Sequence, residues 1–151
     1  MAWFVVIATL MFLYGSFLMV RPSARQRQIA SLRQTAIGLN LDVRLASRMK
    51  FPEELSRADM ACLLSHRPEG QSGKSGSAFK NPDTDKIRSY GVFAAMDDPL
   101  KQIFDGLPRG AEVILSSEEY VGVCWDEKGD ESSVEKIASS MKSIEALTAA
   151  N

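Results

Sequence analysis

Between Ala2 and Val20 the chain carries no charged side chain, and this run ends abruptly at Arg21-Pro22. About 19 apolar or weakly polar residues, at roughly 1.5 Å each, make about 28 Å of helix, close to the hydrocarbon thickness of a bilayer. The run therefore predicts a single transmembrane anchor over residues 2–20. Trp3 suits an interfacial indole at one end, and Arg21, Arg25, Arg27 and Arg33 supply membrane-interface cations at the other. A cleaved export signal fits less well, because no Lys or Arg precedes the run and no small-x-small site follows it. With cations only on the far side, the N-terminus is expected outside and the remainder on the cytoplasmic side of an inner (plasma) membrane. Cys62 and Cys124 are widely separated in apolar runs and read as reduced, buried core residues of that compartment.

After the anchor, about 130 residues remain, enough for one modest domain. Charge is unevenly distributed. Residues 21–50 hold seven cations against Asp42 alone, whereas residues 111–151 hold nine carboxylates against three lysines. A basic juxtamembrane helix over residues 21–38 and an acidic distal part suit attraction to anionic lipid headgroups. Nucleic acid is not expected as a partner, since no recognised fold pattern or interleaved aromatic accompanies the arginines.

Periodicity organises the rest as an α+β domain over residues 39–151: a mostly antiparallel sheet with a C-terminal helix packed on it. Ile29, Leu32 and Ala36 give Ser23–Ile37 a narrow apolar stripe, and Gly38 suits its C-cap. Leu39, Leu41, Val43 and Leu45 alternate with polar residues as in a strand, and Met60–Leu64 reads as a short buried strand. Residues 67–88 are rich in Gly, Ser, Pro, Asn, Asp and Lys, which predicts a long, exposed, mobile loop. Tyr90–Met96 suggests another strand, and Asp97 or Asp98 can start a short helix through Leu100 and Phe104 to Gly106. Residues 111–116 and 121–125 read as a hairpin. A final helix starting at Asp130 or Ser132, with Ser132 and Glu135 as a capping box, carries Val134, Ile137, Met141, Ile144 and Leu147 on one face. That stripe is taken as the face that packs on the sheet, rather than as a helical dimer seam.

Chemistry-bearing patterns are sparse. Gly73-Lys74-Ser75 resembles the end of a phosphate loop, but Pro68 stands where the first glycine is needed and no amphipathic helix follows. Cys62 and His66 are four apart, a ligand spacing on a helix but about 13 Å on a strand, and Cys124 is the one remaining soft donor. His66 is the single histidine, and no nucleophile-elbow glycines flank a serine. The carboxylate pairs Glu53-Glu54, Asp97-Asp98, Glu118-Glu119 and Asp126-Glu127 are neighbours whose side chains diverge, so they read as caps and turns. No catalytic residue, metal site or cofactor is expected.

Phe12–Pro22, followed by the basic, Gln-rich Ser23–Gln34, resembles the anchor of YajC, the small accessory subunit of the bacterial Sec translocase. The likeness covers about 25 residues and implies a single N-terminal span leading into a basic helix, with an accessory role near membrane machinery. The domain beyond it departs from that family: the hairpin and final helix have no counterpart there. The expectation is a non-catalytic accessory or scaffold protein that binds a membrane or cytosolic protein. The alternative is a membrane-tethered small enzyme or ligand binder with a site near residues 67–88.

Overall fold

A computed structural model describes residues 2–19, 22–48, 60–81 and 83–149. The chain divides into two compact units, Met1–Ala30 and Ser31–Asn151.

In the first unit, helix α1 spans Ala2–Met19, apolar around its whole circumference. Its eighteen residues make about 27 Å of helix. Thr9 and Ser16 turn their hydroxyls back onto the carbonyls of Val5 and Phe12 within it. No helix among the described residues is long and apolar enough to cross a membrane. The expected transmembrane anchor is therefore corrected, and with it the single-pass, signal-anchor and inner-membrane assignments. An uncharged run counts residues, whereas a span needs its whole length in one sufficiently long apolar helix. Helix α2 (Ala24–Gly38) begins where Ser23 and Gln26 form a reciprocal capping box.

In the second unit, six strands form one antiparallel sheet in the order β1-β2-β6-β5-β3-β4. They are β1 (Asp42–Leu45), β2 (Ala61–His66), β3 (Gly76–Lys80), β4 (Ile87–Gly91), β5 (Ala111–Ser116) and β6 (Tyr120–Trp125). The expected strand from Leu39 starts late, because Asn40 adopts a left-handed conformation (φ 58°) that ends α2 in a turn. The expected loop over residues 67–88 contains β3 and the start of β4, and Val92–Ala95 is a 3₁₀ helix rather than strand. Helices α3 (Asp97–Gly106) and α4 (Glu131–Thr148) are the further α-helices among the described residues.

One sheet face packs beneath the helices. Leu63, Ala78, Ile114, Val123 and Trp125 meet Leu32 and Ala36 of α2, Leu100 and Phe104 of α3, and Val134, Ile137, Met141 and Ile144 of α4. The α4 stripe is buried as its spacing implies, apart from Leu147, which stays 38% exposed. Its N-cap is Asp130, whose carboxylate accepts from the Ser133 N–H while Ser133 Oγ accepts from the Asp130 N–H. The opposite face holds a second cluster, Ala46, Met60, Cys62, Leu64, Phe79, Val113 and Cys124. A register shift between Ala111 and Val113 puts these two residues of equal parity on opposite faces.

Antiparallel pairing of β2 and β6 places Cys62 directly opposite Cys124. The two are joined as a disulfide with Cα atoms 3.9 Å apart, both fully buried. The expectation of reduced thiols is corrected, and the cysteine argument for a reducing compartment goes with it.

Candidate binding groove

The β3–β4 hairpin tip is a compact, self-bonded turn. Asn81 Oδ1 accepts from the Asp83 N–H at 2.8 Å, and the Asn81 carbonyl accepts from the Asp85 N–H at 3.0 Å. Asp85 is left-handed (φ 50°), a conformation Asp tolerates, and its carboxylate lies 3.2 Å from Lys80 Nζ. Helix α3 stands opposite. Leu100 and Phe104, four apart, turn into the core, so Asp97, Asp98, Lys101 and Asp105 fall on the exposed side. Pro99 fits the first turn because its missing N–H would have had no partner there.

Two clefts lie between these elements. One of 530 Å³ is bounded by Lys80, Asp85 and Ile87 on the hairpin and by Asp97, Asp98, Lys101 and Asp105 on α3. The other, of 470 Å³, runs on past Phe104 to Arg109 and Glu112 and shares Lys80, Asp85 and Asp105 with the first. Carboxylates outnumber cations along the groove, five (Asp85, Asp97, Asp98, Asp105, Glu112) to three (Lys80, Lys101, Arg109). Its walls are mostly hydrogen-bonding groups, suited to a polar or charged occupant. The sequence reading took Asp97-Asp98 as a cap. Their place beside the hairpin tip is a tertiary fact that local pattern could not supply.

The glycine-rich stretch before β3 is not a phosphate cradle. The Gly73 N–H donates to the Glu118 carbonyl at 3.3 Å and the Lys74 N–H to the Thr148 carbonyl at 2.9 Å, so these backbone donors are already engaged. Arg67 organises this region. Its guanidinium, in a residue 9% exposed, donates to Ser116 Oγ (3.1 Å), Thr148 Oγ1 (2.6 Å), the Ser117 carbonyl (3.2 Å) and, more weakly, the Glu145 carbonyl (3.5 Å). All four acceptors are neutral, and the charge sits at the C-terminal end of α4, where the helix dipole favours a cation. Gly73 packs against it so tightly that a Cβ there would lie 2.2 Å from Arg67 Cζ.

The other sequence candidates disperse. His66 is exposed on the opposite sheet face, with Nε2 3.9 Å from Asp42 Oδ2 and its ring edge-on to Tyr120. Arg44 holds the same Asp42 oxygen at 2.9 Å. Both thiols are consumed in the disulfide, which removes any Cys-His pair, and no cluster of metal-ligating side chains occurs among the described residues. Arg21 and the Glu53-Glu54 pair lie outside the described residues. Trp3, Arg25 and Arg27 are exposed in the first unit. Arg33 belongs to the second, where Nε and Nη2 make a bidentate pair with Glu127, both bonds 2.7 Å. Hydrogen bonding to Glu127, with its charge, holds Arg33 above the ordinary arginine range against the opposing effect of burial.

These features define the class: an antiparallel sheet carrying helices on one face, with a charged groove beside an edge strand. No family model matches the sequence and no curated protein matches it. Among solved structures, the chain is similar in fold to the crystal structure of the mycobacterial trehalose monomycolate transport factor A, TtfA. The TM-score is 0.51 at 10% identity, covering 80% of this chain and 93% of that one. At that identity the likeness is one of fold alone.

Proposed function

We propose that this chain is a non-catalytic accessory component of a protein assembly and works by holding another protein. The observation that carries this reading is α1. Trp3, Phe4, Leu10, Met11, Phe12 and Tyr14 are each between 61% and 76% exposed on a helix that is apolar on every side. Contiguous apolar surface of that extent is rare on a protein that works alone and marks an interaction site. The likeness of fold to a transport factor supports an accessory role in a transport system, and the likeness of residues 12–34 to YajC, itself an accessory subunit, points the same way. The test is capture of the tagged full chain under mild conditions, comparing the native sequence with Leu10→Asp/Phe12→Asp. One protein held at fixed stoichiometry by the native chain and lost from the variant is expected. No stoichiometric protein, or one held equally by both chains, would overturn the reading.

A further inference from the structure

We infer that the first unit is enclosed by a socket on the partner protein, with apolar walls around α1 and a rim of carboxylates around the start of α2. This rests on the reading of the chain as a protein-holding component and names the shape and chemistry of the surface it holds.

Leu10, Met11, Phe12 and Leu13 are consecutive, so each is turned about 100° from the one before and together they look out on all sides of α1. Their exposures are 61%, 73%, 74% and 62%. A flat partner surface would cover one side of such a helix and leave the other wet, whereas a helix apolar around its whole circumference is satisfied by enclosure. Thr9 and Ser16 are bonded to carbonyls of their own helix, so these two hydroxyls ask nothing of the walls.

Charge defines the rim. Residues 1–41 contain four arginines and no Asp or Glu. Of these, Arg33 lies in the second unit and is paired with Glu127. Arg25 and Arg27 lie in the first, both exposed, and neither makes an ion pair among the described residues. Two positions apart on a helix, they are turned about 200° from each other and so face opposite sides of α2. A planar anionic surface meets one of them at a time, whereas a surrounding rim of carboxylates meets both. A lipid surface fits α1 no better, because a helix lying in one needs a strongly polar or charged face and α1 carries no charge on any side. A second copy of this chain offers no seat either. Its first unit would bring the same cations and no carboxylate. In its second unit the large exposed apolar side chains among the described residues are Ile37, Leu39, Leu45, Tyr90 and Leu147, spread over α2, the turn after it, β1, β4 and α4. These are too few and too dispersed to wall a helix of eighteen residues.

The proposal is tested on the full chain in its native cells, with a photo-crosslinking side chain placed in turn at Leu10, Met11, Phe12 and Leu13. A second arm uses Arg25→Lys/Arg27→Lys, which keeps both charges and supplies amines that a water-soluble carbodiimide joins to carboxylates. One protein other than this chain is expected as the adduct at all four positions. A carbodiimide adduct to that same protein, through an Asp or Glu of its own, is expected from Arg25→Lys/Arg27→Lys and absent from the native chain, whose guanidinium groups the reagent does not couple. Arg25→Glu/Arg27→Glu should lower the adduct yield at Phe12 at least about fivefold, with the thermal midpoint unchanged. Adducts from one side of α1 only, no new carboxylate adduct from Arg25→Lys/Arg27→Lys, or a Phe12 yield untouched by Arg25→Glu/Arg27→Glu would overturn the socket while leaving the accessory reading in place. No protein adduct at any of the four positions, or adducts to a second copy alone, would overturn both.

Discussion

Arg67 shows why a buried cation need not have a carboxylate. Its fork reaches acceptors from the β5–β6 turn and the last turn of α4 at once, a geometry a lysine ammonium cannot reproduce. Arg67→Leu strands those buried acceptors and should cost about 2–4 kcal/mol in urea unfolding, with Arg67→Lys recovering less than half. Asp130 is a second residue-scale determinant. Hydrogen bonds from Ser132 and Ser133 hold its carboxyl below the ordinary value of 3.8. Because the folded-state pKa is the lower one, the cap's contribution is present above about pH 4 and is lost as pH falls through the depressed value. Melting curves between about pH 6 and pH 2.5 should show an acid loss that is smaller in Asp130→Asn, whose amide still accepts but does not titrate.

Among the elements, α4 and the β5–β6 hairpin were legible because their signals are local: Val134, Ile137, Met141 and Ile144 repeat within one helix, and the two strands flank a short turn. The β3–β4 pair was not. Gly76, Ser77 and Ser89 lack strand character, and the pair exists because Ala78 and Phe79 are held in register against Ile114 and Val113 of β5. The disulfide was hidden for the same reason: a separation of 62 residues becomes adjacency through β2–β6 pairing alone. Closing a loop of that length constrains the unfolded chain by roughly 4 kcal/mol. Cys62→Ala/Cys124→Ala should accordingly lower unfolding free energy by about 2–4 kcal/mol. Because both residues are fully buried, reductant should reach the native bond only as the chain unfolds, read as thiol labelling that tracks the unfolding transition. The groove was half legible. Asp97-Asp98 and the α3 start were visible as a helix N-terminus, but their facing of Lys80, Asp85 and Ile87 depends on where the hairpin lies.

For the whole molecule, composition and structure divide the work between two units. The first displays α1, apolar on every side, and no helix among the described residues is long and apolar enough to cross a membrane. The second is a disulfide-linked sheet with its helices on one face and a charged groove between the β3–β4 hairpin and α3. The proposed accessory role stands or falls on whether α1 is covered by another protein. The most direct measurement places a photo-crosslinking side chain at Phe12, which is 74% exposed, in the full chain within its native cells. One discrete protein adduct, absent when the same group is placed at Lys142 on the exposed side of α4, is the result predicted. Illumination that yields no protein adduct at Phe12, or the same adducts at both positions, would contradict the account.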